Sequence, residues 1–263
     1  MKRILAIVLA VAMIASVAVL AGCGGSKTDN SKAESEKKKL TMATNAYFAP
    51  YEYYDGSEIV GIDVEIAKAI ADKLGMQLEI VDIEFDSIIT GVQTGKYDMG
   101  MAGMTVTDER KQSVDFSDSY ATGIQSVIVK ENSEIKSVDD ILAKDATYKI
   151  GVQLSTTGDI YVTDDLGDAA SERVIEYQTG NDAVSALASG KVDAVVIDNE
   201  PAKSYVAATG GLKILDTEYV SEDYAICFAK NNTELKDKVN GALKELIADG
   251  TVKNIINKYI KAN

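Results

Sequence analysis

The stretch Thr94-Gly-Lys-Tyr-Asp-Met-Gly-Met-Ala-Gly-Met-Thr-Val-Thr-Asp-Glu-Arg110 decides the fold class. Its first half follows the apolar run Ile88-Ile89-Thr-Gly-Val92. A near copy, Ser189-Gly-Lys-Val-Asp-Ala194, follows Val184-Ser-Ala-Leu187. Both copies read as an apolar helix, a Gly-Lys turn and an Asp that opens a short strand. Each strand then runs out into polar groups: Thr105 to Arg110 in the first copy, Asp198-Asn199-Glu200 in the second. The repeat predicts two α/β lobes, each presenting polar strand ends to a ligand clamped in a cleft between them.

The second half of the stretch carries chemistry. Thr107 is placed to cap a helix, with Asp108 and Glu109 in a first turn where the helix dipole favours acids. Arg110 follows in that turn, where a cation is disfavoured. One reading is a guanidinium held for forked recognition of a carboxylate. The other is a surface Arg paired with Asp108, Glu109 or Asp115, and the local sequence leaves both open. Gly100 and Gly103 permit close approach of backbone to a ligand, and Thr105 adds a hydroxyl.

Working outward, Leu40 to Asn45 reads as a strand, and Tyr47-Phe-Ala-Pro-Tyr-Glu-Tyr-Tyr54 as an aromatic loop before a turn at Asp55-Gly56. Ile62, Ile66, Ala67, Ile70, Ala71 and Leu74 have helical spacing, closed by Gly75. Met76 to Ile83 is a strand. Asp86 is placed to cap a helix through Thr94. Thr122 to Lys130 and Tyr148 to Val152 are further strands. Gln153-Leu-Ser-Thr-Thr-Gly158 then marks a strand-to-helix junction that either binds a carboxylate or is simply capped by its hydroxyls. Asp198 is placed to cap a helix with Pro201 in its first turn. Ala225 to Ala229 is a strand, and two helices, Thr233 to Ala248 and Thr251 to Ile260, end the chain.

Composition narrows the function. The chain has 263 residues, 46% of them hydrophobic, and a net charge of −14. That charge excludes nucleic-acid binding by phosphate neutralisation. The chain has no histidine, so the commonest general base and transition-metal ligand are missing. Cys23 and Cys227 are too few for a cysteine-rich zinc site. No metal and no cofactor is expected. Cys227, within Tyr-Ala-Ile-Cys-Phe-Ala, reads as a packed, inert thiol.

Residues 1–22 read as a signal peptide: Lys2 and Arg3, an apolar run from Ile4 to Leu20 broken by Ser16, then small residues. Leu20-Ala21-Gly22-Cys23 resembles the lipobox of bacterial lipoproteins. The resemblance implies diacylglycerol on the Cys23 sulfur and cleavage before it. Residues 23–39 form the lipidated cysteine and a polar tether predicted to be disordered, with a reach of about 20–24 Å.

The motifs together resemble the polar amino-acid family of extracytoplasmic solute-binding proteins, which feed ABC importers. Phe48-Ala-Pro-Tyr-Glu-Tyr53, Gly61-Ile-Asp-Val-Glu-Ile-Ala-Lys-Ala-Ile70 and Gly103-Met-Thr-Val-Thr-Asp-Glu-Arg110 carry the resemblance. Val114-Asp-Phe-Ser-Asp118 and the Asp249-Gly-Thr251 region support it. It implies an α/β clamshell of the periplasmic-binding-protein type II, its two α/β lobes joined by two crossover strands. Lobe 1 would span 40–121 plus 224–263 and lobe 2 122–223, with hinges near Thr122-Gly123 and Asp223-Tyr224. It further implies that Arg110 holds a ligand α-carboxylate, assisted by Thr105 and by backbone at Gly103 and Thr157. Asp198 would take the α-ammonium, Phe48 and Phe85 would wall the ligand side chain, and Gln153 and Thr156 would line the lobe-2 side.

At position 45 several family members carry Asp, whereas this chain has Asn45. The loss of charge weakens the case for a cationic ligand, although Glu52 is available as another acid. With Gln153, it points to a neutral polar amino acid, glutamine first, with cystine and arginine next. The expected protein is a monomeric lipoprotein on the extracytoplasmic face of the cell membrane, with a free amino acid and the importer's membrane subunits as partners. The alternatives are a cyclohexadienyl-type dehydratase on the same fold and an amino-acid sensor. Cys23→Ser is expected to abolish metabolic labelling by a lipid precursor and to release the protein from membranes. Persistent anchoring would refute the lipobox reading.

Overall fold

The computed structural model describes residues 38–261. The expectations for the signal peptide, for Cys23 and for the tether as far as residue 37 lie outside the described residues. Lys39, expected in the tether, already belongs to the first strand, β1 (Lys39–Thr44). Where the sequence pattern suggests an aromatic loop there is a small antiparallel meander: β2 (Tyr47–Phe48), β3 (Glu52–Asp55) and β4 (Glu58–Val60). Its pairs, Tyr47 with Tyr53 and Phe48 with Glu52, suit a chain rich in strand-favouring aromatics.

Helix α1 (Ile62–Lys73) buries Ile62, Ile66, Ala67, Ile70 and Ala71, the predicted face. It ends in a Schellman turn: Gly75 N–H bonds the Asp72 carbonyl at 3.1 Å and Met76 N–H the Ala71 carbonyl at 2.9 Å. β5 (Gln77–Asp82), α2 (Phe85–Gln93), β6 (Met99–Gly100), α3 (Arg110–Ser113), β7 (Val114–Phe116) and β8 (Ala121–Lys130) follow. Asp86 does not cap α2. Glu84 occupies the cap position without a side-chain bond, and Asp86 sits in the first turn. Next come α4 (Val138–Leu142), β9 (Ile150–Gln153), α5 (Thr157–Leu166), α6 (Ala170–Arg173), β10 (Val174–Tyr177), α7 (Gly180–Ser189), β11 (Ala194–Asp198) and α8 (Asn199–Thr209). The chain closes with β12 (Leu212–Ile214), β13 (Val220–Tyr224), β14 (Cys227–Ala229), α9 (Thr233–Ala248) and α10 (Thr251–Tyr259).

The strands form two large sheets. One is five-stranded in the order β5-β1-β6-β14-β7, the other six-stranded in the order β10-β9-β11-β8-β12 with β13 also on β8. The first draws on both ends of the chain and the second on its middle. The chain passes between them along β8 and returns along β13, and these two strands pair antiparallel, with Thr122 opposite Asp223 and Gly123 opposite Glu222. Two α/β lobes joined by two crossover strands are therefore the architecture, as expected. Each sheet carries an apolar cluster on both faces. Ile66, Ile70, Phe228 and Leu243 anchor one face of the first sheet, and Ile88, Val92 and Val114 the other. Val127, Ile150 and Val162, and on the opposite side Ile128, Leu187 and Val195, do the same for the second.

The two Gly-Lys copies are one structural device used twice. Gly95 and Gly190 adopt φ of 74° and 78°. In the first copy Lys96 N–H bonds the Gly91 carbonyl at 2.9 Å, and in the second Lys191 N–H bonds the Ala186 carbonyl at 2.9 Å. The Asp that follows then clips the new strand to its neighbour. The Asp98 carboxylate accepts the Thr41 N–H at 2.7 Å, and the Asp193 carboxylate accepts the Lys149 N–H at 2.8 Å. The repeat thus starts β6 and β11 at equivalent places against β1 and β9.

Cys227 is fully buried beside Gly100, and burial pushes its thiol up to about 12, consistent with an inert packing role. Among the described residues no helix is long and apolar enough to cross a membrane. Asp98→Ala removes the acceptor of the Thr41 N–H and hydroxyl. It is expected to destabilise the fold by about 1–3 kcal/mol in urea unfolding, and an unchanged midpoint would show that the clip contributes nothing.

Candidate functional site

The polar strand ends of the two sheets face each other across a narrow cavity between the lobes. It is lined by Asn45, Phe48, Phe85, Gly103, Thr105 and Arg110 from the first lobe, and by Gln153, Thr156, Thr157 and Asp198 from the second. Every ligand-contacting residue implied by the resemblance is present, whereas Gly100, expected to let backbone approach a ligand, packs instead against Cys227 and Ile88. Glu52, Ala102 and Ile197 complete the wall.

Arg110 opens α3, whose N-cap position is Glu109 rather than the expected Thr107, although the Arg110 N–H still bonds the Thr107 hydroxyl at 3.1 Å. Its guanidinium is not a surface group. The residue is 6% exposed, and among the described residues it pairs with no carboxylate. It donates to the Thr105 carbonyl at 2.9 Å and, across the cleft, to the Ser155 carbonyl at 3.0 Å, and it lies 5.5 Å from the Phe85 ring centre. Burial lowers its pKa. The surface ion-pair reading is excluded by this geometry. Ser155 holds a φ of 62°, uncommon for a side-chain-bearing residue, in the turn that aims its carbonyl at Arg110.

Asp198 ends β11 and occupies the N-cap position of α8, but its side chain makes no cap bond. The carboxylate turns into the protein instead. It accepts Gln125 Nε2 at 2.8 Å and the Tyr224 hydroxyl. Burial, and then the charge of Glu222, push Asp198 up to about 7, against the hydrogen bonds from Tyr224 and Gln125. Gln125 also donates to Glu222 at 3.0 Å. No cation faces Asp198 within salt-bridge distance among the described residues.

Other contacts cross the cleft. Thr105 and Thr157 hydroxyls meet at 3.4 Å. Gln153 Nε2 donates to Asn45 Oδ1 at 2.9 Å, while Asn45 Nδ2 donates to the Ile83 carbonyl at 2.9 Å. Thr156 caps α5, its hydroxyl accepting Asp159 N–H, and Thr157 opens the helix, where first-turn N–H groups lack intrahelical acceptors. Phe48 packs against apolar clusters of both lobes. Gly103 departs from expectation. Its N–H is spent on Asp63 Oδ2 at 2.9 Å, so it does not point at a ligand carboxylate. Its φ of 52° and the Phe48 ring, 2.7 Å from where a Cβ would sit, explain the glycine.

Sequence reasoning passed over Gln125, Glu222 and Tyr224, which hold Asp198, and Ser155, which meets Arg110. The signal for Gln125 was present: with Ser126 it forms a polar pair inside the otherwise apolar run Ile124 to Val129.

A pair of lobes with one buried cation and one buried acid facing a shared cavity defines a two-lobe binding protein for a small polar solute. Residues 40–262 match the model of the bacterial extracellular solute-binding proteins, family 3. The chain is 36% identical to the arginine-binding extracellular protein of Bacillus subtilis, over 91% of this chain and 92% of that protein. It is 32% identical to the glutamine-binding protein of an ABC transporter in the same organism, over 99% and 98%. An ancestral arginine-binding protein, solved bound to glutamine and bound to arginine, superposes with a TM-score of 0.79 at 40% identity, covering 86% of this chain and 99% of that one. The chain belongs to family 3 of the bacterial extracellular solute-binding proteins, and it is a solute-binding protein rather than an enzyme.

The Asp198 environment predicts a pH signature. Its folded-state pKa, about 7, lies above the unfolded carboxylate value, so the folded state binds the extra proton and stability falls as pH rises from about 4 to about 7. In ligand-free protein Asp198→Asn is expected to raise the melting temperature at pH 8 and to leave it nearly unchanged at pH 4. An equal effect at both values would place the proton elsewhere.

Proposed function

We propose that this protein is the substrate-binding lipoprotein of an ABC importer, held on the extracytoplasmic face of the membrane through Cys23, which captures a neutral polar amino acid, glutamine first, between its lobes. The observation that carries the proposal is the pair of unmatched charges. Arg110 and Asp198 come from opposite lobes, are both buried, line one cavity and have no ionic partner among the described residues. An α-amino acid zwitterion supplies both partners at once. Arg110, with the Thr105 hydroxyl and the start of α5 at Thr157, takes the α-carboxylate. Asp198 takes the α-ammonium, and Phe48 and Phe85 flank the side chain.

The neutral character follows from Asn45 and Gln153, two amides hydrogen-bonded to each other at the cavity wall, where a charged ligand side chain finds no opposite charge. A similar protein has been solved both bound to glutamine and bound to arginine, so it is the amide pair that carries the choice of glutamine. Lobe 1 is assigned to 40–121 plus 224–263 and lobe 2 to 122–223, with hinges at Thr122-Gly123 and Asp223-Tyr224, which face each other in the crossover ladder. A ligand touching both lobes favours the closed state by its differential affinity, which is the signal a permease reads.

A thermal-shift screen against the common amino acids, on protein freed of ligand by unfolding and refolding, tests this. Glutamine at 100 times its dissociation constant is expected to add about 2.7 kcal/mol of stability. Arg110→Ala is expected to lose about 3–5 kcal/mol of binding by stranding a buried carboxylate. No stabilisation by any amino acid would overturn the proposal, and unchanged affinity in Arg110→Ala would remove Arg110 from the site.

A further inference from the structure

Glu52, on β3 opposite Phe48, lines the same cavity and is 1% exposed. Among the described residues no N–H or O–H donor reaches either of its oxygens. The ionisable groups that act on it are Asp63 from α1, Asp198 at the end of β11, Asp82 at the end of β5, and the hydroxyls of Tyr51, Tyr120 and Tyr205. There is no lysine or arginine among them. Arg110 shares the cavity, but its guanidinium is engaged with Thr105, Ser155 and the Phe85 ring. Burial first, and then Asp63, hold Glu52 well above the usual carboxylate range.

Asp63 shows where the proton of the pair resides. Its Oδ2 accepts Gly103 N–H at 2.9 Å and the Tyr120 hydroxyl at 2.8 Å, so that oxygen is built for negative charge. Its Oδ1 also meets no N–H or O–H donor. Two adjacent carboxyls bond only by sharing a proton. Burial pushes Asp63 up to about 6, against its hydrogen bonds from Gly103 and Tyr120, so above that pH Asp63 carries the charge and the more strongly raised Glu52 the proton.

Charge counting then gives Glu52 a role. A zwitterion matches Arg110 and Asp198. A further positive charge on the ligand side chain has one acid left in the cavity, and only if that acid ionises. We propose that Glu52 is a specificity-determining group: protonated it accommodates a neutral side chain, and by releasing its proton to solvent it becomes the counter-ion of a cationic one, so that pH sets the choice between neutral and cationic amino acids. The O–H bond of Glu52 breaks, the proton passes to buffer, and nothing is oxidised or reduced. This inference rests on the amino-acid reading of the cavity given above.

The sign is fixed by linkage. A cationic side chain requires the ionised form, which is scarce at low pH. Affinity for L-arginine relative to L-glutamine therefore rises by about tenfold per pH unit for as long as Glu52 is protonated in the free protein. Titration of Asp198 cancels in this ratio, because both ligands present the same α-ammonium.

Calorimetric titration of the refolded protein with L-glutamine and L-arginine, between about pH 5.5 and pH 7.5 and in two buffers of different ionisation enthalpy, tests the proposal. The expected result is a rising arginine-to-glutamine ratio, with about one more proton released on binding arginine than on binding glutamine. Glu52→Gln is expected to flatten the slope of the ratio and to remove the extra proton. A pH-independent ratio, equal proton release by the two ligands, no arginine binding at any pH, or an unchanged slope in Glu52→Gln would each overturn it. The wild-type proton count decides even where the variant does not fold. Failure of both ligands to bind is the distinct outcome that sinks the amino-acid reading itself.

Discussion

Among the described residues Arg110 is a buried cation without an anion, and most of the cleft is arranged around that imbalance. A guanidinium taken from water loses several kcal/mol of solvation, which two carbonyls and an aromatic face offset only in part. The Ser155 carbonyl belongs to the opposite lobe. Part of what satisfies Arg110 is therefore available only when the lobes approach, and the rest is left for a carboxylate. Asp198 repeats the argument with the opposite sign, as an acid whose pKa is lifted to about 7 because burial outweighs its two hydrogen-bond donors. Neither charge is at ease alone, and a single zwitterion relieves both.

What places these charges is the duplicated Gly-Lys-x-Asp device. A left-handed glycine closes a helix, and the next Asp clips the new strand to its neighbour through a backbone N–H. Each copy delivers the chain to the ligand-facing edge of its sheet within a few residues, which is how Thr105 and Arg110 in one lobe come to oppose Asp198 in the other. The geometry of the site is thus set by short-range backbone chemistry, some distance from the charges it positions.

This explains what was legible in the sequence. The helices, their glycine ends and the polar strand termini are local signals, and they singled out Arg110, Thr105 and Asp198 as polar groups at strand ends, while the ligand roles came from the resemblance to a family. The chain crossing was not local. Nothing in the spacing states that β14 returns to the first sheet, and that topology came from the resemblance to a family. The aromatic segment from Tyr47 to Tyr54 misled because its proline and turn residues read as a loop, whereas cross-strand pairing makes it a meander. The Gly103 N–H was assigned to the ligand because the sequence does not show that Asp63, forty residues away, claims it. Long-range partners of buried polar groups are the information a one-dimensional pattern lacks.

The partners of Asp198 also tie the site to the crossover. Gln125 lies on β8, and Glu222 and Tyr224 lie on β13, the two strands that pass between the lobes. Gly123 on β8 has no room for a side chain, since a Cβ there would sit 2.1 Å from the Tyr224 hydroxyl. The Tyr224 ring therefore occupies the space above Gly123, packs edge-on against Tyr51 and reaches Asp198. Any rotation about these strands must change the donors around that carboxylate. On the proposed function, neutralising Asp198 with a ligand ammonium and setting the angle of the crossover would be the same event seen from two sides, because one hydrogen-bonded cluster holds both.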